Sequence, residues 1–297
     1  MDILEAFKYL LLGIIQGIAE VIPISSSGHV QLAQTIFNLQ VDQGLLFLIL
    51  VNTGSLVTFL IIYFNKIIEL IKDFFGFIFN FLFSYSKPEL RKDKFNNFIF
   101  SLQIVVACIP AAIIGLLFQN KIDIILEDYG TLVVGVGLLL TGTVLYMIKD
   151  IRILKGKTMI NWADTILVGL AQGIAIFPGV SRSGMTSTTS IKRGMGIDSA
   201  LNFSFLLYIP LSIGSLFLMV YKVISKMNTE NLTVLQSLGV PSNIYFIYYL
   251  LAFVGAVVAT YFAYRLIFNI FKSGKLKYFS YYCIIIGMGS LLYFMAS

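Results

Sequence analysis

Six stretches of the sequence run for about twenty residues each without a charged side chain, namely residues 45–64, 97–118, 130–148, 199–221, 243–264 and 278–297. A helix needs about 20 apolar residues to cross the hydrocarbon layer of a bilayer. Hydrophobic residues make up 58% of the chain and charged residues only 12%, and a soluble domain could not cover that much apolar surface. The chain is therefore predicted to be an all-α polytopic membrane protein with six transmembrane helices.

Two further stretches have lengths that fit neither one crossing nor two. Residues 9–41 contain Glu20 as their only permanent charge and PISSSG in their middle, and residues 165–191 contain Arg182 and FPGVSRSG. Irregular backbone survives at membrane depth only where protein or water satisfies its polar groups. Each stretch is predicted to be a re-entrant helical hairpin that enters and leaves the membrane on the same side.

Residues 66–86 allow two interpretations. Glu69, Lys72 and Asp73 lie in the first third of this stretch, and a charge at the centre of a transmembrane helix costs about 2.5–3.5 kcal/mol. We expect an amphipathic helix at the membrane interface, and a seventh span is the alternative.

The distribution of positive charge predicts the orientation in the membrane. With six spans and two hairpins, sixteen Lys and Arg residues lie on one side and four on the other. The positive-inside rule makes the first side cytoplasmic, so both termini are predicted to be extracytoplasmic. The excess of Lys and Arg on the cytoplasmic side accounts for the net charge of +6. Because the positive charge is explained in this way, we expect no nucleic-acid partner.

The two predicted hairpins resemble each other in sequence. LLGIIQGIAEVIPISSSG at 11–28 aligns without a gap to LVGLAQGIAIFPGVSRSG at 167–184, with nine of eighteen positions identical. Three predicted spans separate the copies, so the second is inverted relative to the first, as in many transporters. We expect one membrane domain, 1–297, built from inverted repeats at about 1–148 and 160–297, with the hairpin tips meeting near the midplane.

Polar and ionisable side chains gather at the two helix breaks, where such groups usually have a function. Arginine matches phosphate oxygens, and serines at a helix start offer hydroxyl and N–H donors. A carboxylate can hold a metal or accept a proton, and a serine can attack phosphorus. The predicted phosphate site comprises Gln16, Glu20, Ser25, Ser26, Ser27 and His29 from the first hairpin, and Ser181, Arg182, Ser183 and Thr186 from the second.

Structural roles are the alternatives at several of these positions. Arg182 could pair with Glu20 only to join two helices, and Gln16 could make an interhelical hydrogen bond. Asn52 in the first span is polar enough to contact the site, and simple packing is its alternative role.

Two motifs within the hairpins resemble those of a known family. QGIAEVIPISSSGH at 16–29 and PGVSRSGMT at 178–186 are similar to the two motifs of the BacA-type undecaprenyl-diphosphate phosphatases, the bacitracin-resistance family. Segments 162–164 and 203–210 also look like family segments, and the resemblance covers essentially the whole chain. It implies a multi-pass enzyme of the bacterial cell membrane that hydrolyses undecaprenyl diphosphate to undecaprenyl phosphate and inorganic phosphate. That reaction recycles the lipid carrier for peptidoglycan synthesis and confers resistance to bacitracin.

The resemblance also implies roles for individual residues. Glu20 and Gln16 belong to the metal and acid–base side of the site, with Mg²⁺ or Ca²⁺ as the cofactor. Ser26 is the nucleophile candidate, with His29 nearby, and attack by Ser26, His29 or water stays open. Arg182 grips the diphosphate, with further phosphate-binding residues at Ser25, Ser27, Ser181, Ser183 and Thr186.

The sequence departs from the family pattern at two positions. Gln16 replaces a frequent Glu, and Asn202 stands where relatives often carry an acid. If that acid helps to hold metal or to orient Arg182, this chain must do so otherwise.

The partners implied are a polyprenyl diphosphate lipid and membrane lipids, and a homodimer is one assembly open to such a chain. A lipid-phosphate transporter or flippase is the alternative function, because inverted repeats are a transporter feature. A carrier, however, does not need a serine, a histidine and a carboxylate together.

Overall fold

The computed structural model describes residues 2–36, 45–83, 92–151, 154–158, 161–230 and 245–296. Within these ranges the chain is helical, apart from connecting segments and one isolated bridge between Lys157 and Met195. The helices are α1 (Ile3–Val21), α2 (Ser26–Ile36), α3 (Leu45–Ile62), α4 (Phe64–Phe83), α5 (Lys92–Tyr146), α6 (Trp162–Ile174), α7 (Arg182–Lys192), α8 (Ile197–Glu230), α9 (Tyr245–Lys272) and α10 (Leu276–Ala296). The all-helical prediction is confirmed for this part of the chain.

Several of the helices are suited to a membrane. By length and composition α5, α9, α10 and α8 as far as Thr229 could each cross a bilayer, and α3 with α4 forms a fifth candidate if the two count as one bent span. A multi-pass membrane protein is thereby confirmed, whereas the count of six spans stays a prediction.

The longest helix, α5, contains two of the predicted spans. Its 55 residues would extend for about 80 Å at 1.5 Å per residue, far beyond a hydrocarbon layer about 30 Å thick. The helix departs from helical geometry at Tyr129, with φ −130° and ψ 28°. This break falls between the predicted spans 97–118 and 130–148, so the two halves of α5 can run in different directions.

The ambiguous stretch after the first predicted span is a separate helix. α4 follows α3 at a bend of 73°, and its charged side chains face the start of α5. Asn97 there donates hydrogen bonds of 2.7 Å to both Glu69 and Asp73. The interfacial location of α4 stays a prediction.

Both sequence repeats form a helix–break–helix hairpin. α1 and α2 are separated by a segment with Pro23 and with Ser25 at φ 72°, and α6 and α7 by one with Gly179 at φ 85°. Proline cannot continue a helix and a positive φ ends it. The second helices begin at Ser26 and Arg182, which are aligned positions of the repeat.

The tips of the two hairpins touch each other reciprocally. A Cβ atom built on Gly28 would lie 3.1 Å from Cα of Gly179, and one built on Gly184 would lie 3.2 Å from Cβ of Pro23. Gly28 aligns with Gly184 and Pro23 with Gly179 in the repeat. The two contacts are therefore related by the repeat, whereas the depth of the tips in a membrane stays a prediction.

Small residues bring the first helix of each hairpin close to a long helix. A Cβ atom on Gly13 of α1 would lie 2.0 Å from the backbone oxygen of Ala252 in α9. In the second hairpin, one on Gly169 of α6 would lie 2.8 Å from the backbone oxygen of Ala107 in α5. Gly13 and Gly169 are again aligned positions, so both hairpins are seated by the same kind of contact.

A methyl group at Gly13 should destabilise this seating. Gly13→Ala is expected to lower the free energy of unfolding in detergent by about 1–3 kcal/mol, because the clash is with backbone that cannot rotate away. Gly214→Ala is the matched control, since a Cβ atom there meets nothing within 4 Å and alanine favours a helix. Equal stability of Gly13→Ala and wild type would contradict the close packing.

Candidate active site

The hairpins are joined by an ion pair between Glu20 and Arg182. Glu20 lies at the end of α1 and Arg182 at the start of α7, and Arg182 Nη2 donates to Glu20 Oε1 at 2.5 Å. Their side chains are only 9% and 11% exposed, respectively. Burial makes such a pair depend on further hydrogen bonds to the remaining polar atoms.

The other carboxylate oxygen of Glu20 accepts two hydrogen bonds from the first repeat. Ser26 Oγ donates to Glu20 Oε2 at 2.7 Å, and Gln16 Nε2 donates to the same oxygen at 2.8 Å. Gln16 lies one helical turn before Glu20, so the two share a face of α1. Gln16 Nε2 also donates to Asn52 Oδ1 on α3 at 2.8 Å, so Asn52 is part of this network.

The second repeat and α8 hold Arg182 from its other sides. The guanidinium carbon lies 4.2 Å from the centre of the Tyr208 ring, and Nη1 donates to the backbone oxygen of Ser204 at 3.4 Å. Thr186 donates to the backbone oxygen of Arg182 at 2.9 Å and shares a hydrogen bond with the Ser204 hydroxyl. Arg182 is thus fixed by charge, by an aromatic face and by a carbonyl.

The predicted phosphate-binding serines lie at the starts of α2 and α7. Ser25 Oγ accepts from the backbone N–H of Gly28 at 3.3 Å, and Ser181 Oγ accepts from that of Gly184 at 3.1 Å. These two hydroxyls therefore cap the helices. Ser27 and Ser183 lie 3.4 and 3.3 Å from the capping hydroxyls of their own hairpins, and Ser27 is exposed.

The imidazole of His29 has its hydrogen-bond partners outside the ion pair. Its Nδ1 lies 2.8 Å from the backbone oxygen of Ser25, and its Nε2 lies 2.9 Å from the hydroxyl of Tyr282, whose ring stacks on it. A carbonyl oxygen requires the proton on Nδ1, and the Tyr282 hydroxyl can then donate to Nε2. Both ring nitrogens of a neutral His29 therefore have hydrogen-bond partners, and neither partner is the Ser26 hydroxyl.

Asn202 lies in a different set of contacts from Arg182. Its side-chain oxygen accepts from the hydroxyl of Tyr63 at 2.6 Å, and Tyr63 accepts from Tyr264 at 3.1 Å. The orientation of Arg182 is instead supplied by Glu20 and Tyr208.

A comparison with known families and proteins agrees with the two hairpin motifs. The family model "Bacitracin resistance protein BacA" matches residues 9–289. The chain belongs to the BacA family. Undecaprenyl-diphosphatase of Oceanobacillus iheyensis is 40% identical over 297 residues, which cover 99% of this chain and 100% of the relative. Undecaprenyl-diphosphatase 2 of Bacillus thuringiensis is 40% identical over 286 residues, covering 96% and 97%. Undecaprenyl-diphosphatase 1 of Bacillus licheniformis is 38% identical over 293 residues, covering 99% and 100%.

The residues at the ion pair of this BacA-family chain fit a divalent cation only if substrate completes its coordination. Among the residues that the structure describes, no group of three or more His, Cys, Asp or Glu could hold a metal ion. Glu20 and Ser26 do provide a carboxylate oxygen and a hydroxyl oxygen in one place, whereas Gln16 turns its amide nitrogen towards Glu20. One carboxylate together with phosphate oxygens is a common way of binding Mg²⁺.

Two residues on α8 contact Arg182 without having been predicted from the sequence. Ser204 and Tyr208 lie four residues apart within FSFLLYIP, and so on one face of a helix. A tyrosine in an apolar span ordinarily indicates packing, and only the fold places it against Arg182. The sequence feature that could have indicated these two residues is that 203–210 is one of the segments that resemble the family.

Removing one member of the ion pair should destabilise the protein more than removing both. Arg182→Met leaves the Glu20 carboxylate buried without its cation, so the free energy of unfolding in mild detergent should fall by about 3–5 kcal/mol. Glu20→Gln combined with Arg182→Met should recover most of that loss, because no buried charge remains. A double variant as unstable as Arg182→Met would show that the pair is not buried in this way.

Proposed function

We propose that this chain is an undecaprenyl-diphosphatase, which hydrolyses undecaprenyl diphosphate to undecaprenyl phosphate and inorganic phosphate. The supporting observation is the joint contact of Ser26, Glu20 and Arg182 at the meeting point of two hairpins, in a chain similar to proteins of that name. The reaction recycles the lipid carrier for peptidoglycan synthesis and confers bacitracin resistance. Neither the family match nor the names of the relatives support the transporter alternative.

Arg182 is the residue that binds the diphosphate in this proposal. Its guanidinium offers paired donors matched to phosphate oxygens, and the starts of α2 and α7 supply serine hydroxyls and the positive ends of helix dipoles. In the structure the Arg182 guanidinium is paired with the Glu20 carboxylate. In this proposal the diphosphate takes the place of the carboxylate as the main partner of Arg182.

Ser26 is the proposed nucleophile, and Glu20 accepts its proton. The 2.7 Å hydrogen bond from Ser26 Oγ to Glu20 Oε2 has the geometry of a nucleophile and its base. Attack by Ser26 Oγ on the terminal phosphorus breaks the bond to the bridging oxygen, and undecaprenyl phosphate leaves with the electron pair. Water then hydrolyses the phosphoserine and releases inorganic phosphate.

A divalent cation, Mg²⁺ or Ca²⁺, is the proposed cofactor. Glu20 and Gln16 would hold it beside the phosphate oxygens, where it would neutralise charge as the phosphoryl group is transferred. Gln16 offers a neutral oxygen in place of a carboxylate, so this site depends on Glu20 for its single negative ligand.

The membrane arrangement is proposed to be six spans and two re-entrant hairpins with inverted topology in the bacterial cell membrane. The repeat-related contacts of the tips and of the glycines support two equivalent halves. The charge distribution supports extracytoplasmic termini. The prenyl tail of the substrate would lie in lipid, beside exposed apolar side chains, while its diphosphate reaches the hairpin tips.

Phosphate release by purified protein in detergent tests the proposed chemistry. With a C55 diphosphate as substrate, Ser26→Ala and Arg182→Ala should each lower kcat by more than about 100-fold, since the first removes the nucleophile and the second the charge on the phosphoryl oxygens. His29→Ala should lower kcat by a smaller factor, because the ring nitrogens of His29 contact Ser25 and Tyr282. Chelation of divalent cations should abolish release, and added Mg²⁺ or Ca²⁺ should restore it.

Thr53→Val is the control for removing a hydroxyl near the site, because Thr53 donates to its own helix at Ile49. Activity of Ser26→Ala within a few-fold of wild type would exclude Ser26 as the nucleophile. The same result for Arg182→Ala would exclude Arg182 as the residue that binds the diphosphate. Wild-type protein that releases no phosphate in detergent but moves the lipid across vesicles would favour the carrier.

A further inference from the structure

Tyr208 supports the face of the Arg182 guanidinium group. Tyr208 is buried in α8, and its ring centre lies 4.2 Å from the guanidinium carbon. One turn earlier on α8, the backbone oxygen of Ser204 accepts from Nη1 of Arg182 at 3.4 Å. α8 thus presents an aromatic face and a carbonyl to the same cation, and both attract positive charge.

The hydroxyl of Tyr208 is anchored in the other half of the molecule. It donates to the backbone oxygen of Asn52 at 3.1 Å across a separation of 156 residues, which is also the offset of the sequence repeat. The Asn52 side chain accepts from Gln16, and Gln16 donates to Glu20. The contacts form a closed ring that runs from Arg182 through Tyr208, Asn52, Gln16 and Glu20 back to Arg182.

The position of the Tyr208 ring is further set by the aromatic core. Phe59 of α3 packs edge-on against it, with ring centres 5.2 Å apart. A ring that is bonded at its hydroxyl and packed at its edge has little freedom to tilt. Its π-face therefore offers Arg182 a fixed surface.

We infer that Tyr208 is a positioning residue that keeps the Arg182 guanidinium aimed at the diphosphate when Glu20 is no longer its partner. The inference rests on the proposed function, because substrate binding is what takes Arg182 from Glu20. Once that ion pair opens, the guanidinium keeps two of the contacts that the described part of the chain provides. These are the Tyr208 ring and the backbone oxygen of Ser204. Without the ring, a flexible arginine would bind phosphate in many orientations, and few of these would match the transition state.

Substitutions at Tyr208 distinguish a role in orienting the Arg182 guanidinium from a role in packing the core. Tyr208→Leu removes the π-face and is expected to lower kcat for the C55 diphosphate by about tenfold, the scale of a desolvated cation–π contact. KM should rise as well, but by a smaller factor than kcat falls, because the charge of Arg182 remains while its orientation is lost. Tyr208→Phe keeps the ring and should restore most of kcat. If Tyr208→Leu does not fold, Tyr208→Met fills the space with a flexible side chain and serves in its place.

Phe203→Leu is the matched control for loss of a buried ring from the same helix. Phe203 is fully buried, and its ring packs against Phe100 rather than against Arg182 or Phe59. This variant should lower the melting temperature without lowering kcat per folded, monodisperse protein. If Phe203→Leu and Tyr208→Leu lower kcat equally, or if Tyr208→Phe has as low a kcat as Tyr208→Leu, the inference is wrong.

A binding measurement separates this inference from the proposed function. Affinity of the same variants for methylenediphosphonate, which cannot be hydrolysed at its bridge, reports on Arg182 without any turnover. A fall in affinity for Tyr208→Leu, recovered in Tyr208→Phe, supports positioning even if the wild type fails to hydrolyse the C55 diphosphate. Unchanged affinity and unchanged kcat in Tyr208→Leu would overturn it, whatever the substrate of the enzyme.

Discussion

The candidate site depends on one buried ion pair between two helix breaks. Carrying a carboxylate or a guanidinium into an apolar interior is costly, and the cost is offset only if each finds an opposite charge and enough hydrogen bonds. Glu20 and Arg182 are 162 residues apart in the sequence, so neither is satisfied unless both hairpins are in place. The same pairing brings a carboxylate, a serine hydroxyl and a guanidinium to one point.

The repeat supplies a symmetric scaffold and an asymmetric site. Aligned glycines seat both hairpins, and aligned serines cap both second helices. At the positions of the ion pair the copies differ, since Ser26 aligns with Arg182 and Glu20 with Ile176. One half therefore contributes a serine and the negative charge, while the other contributes the cation and its aromatic support.

Much of this arrangement could be predicted from local sequence because each feature has a local cause. The hairpins follow from Pro and Gly in apolar stretches, and the contact of Glu20 with Arg182 follows from the cost of leaving either charge unpaired. The orientation of His29 could not be predicted, because it depends on Tyr282, which lies 253 residues away. Asn202 and Tyr208 are similar cases, since their partners Tyr63 and Asn52 lie more than a hundred residues away in the sequence. Periodicity places a side chain on a helix face, but only tertiary packing decides which helix that face meets.

The most direct test of the account is a disulfide between the two hairpin tips. A Cβ atom on Gly184 lies 3.2 Å from Cβ of Pro23, close to the separation of about 3.5–4.5 Å in a disulfide. With Cys108 and Cys283 replaced by alanine, the Pro23→Cys and Gly184→Cys pair should oxidise within one chain in native membranes, as shown by mass spectrometry of the linked peptides. Neither single-cysteine variant should form that link. Cysteines 23 and 184 that stay unlinked and react with impermeant reagents from opposite faces of the membrane would contradict the account.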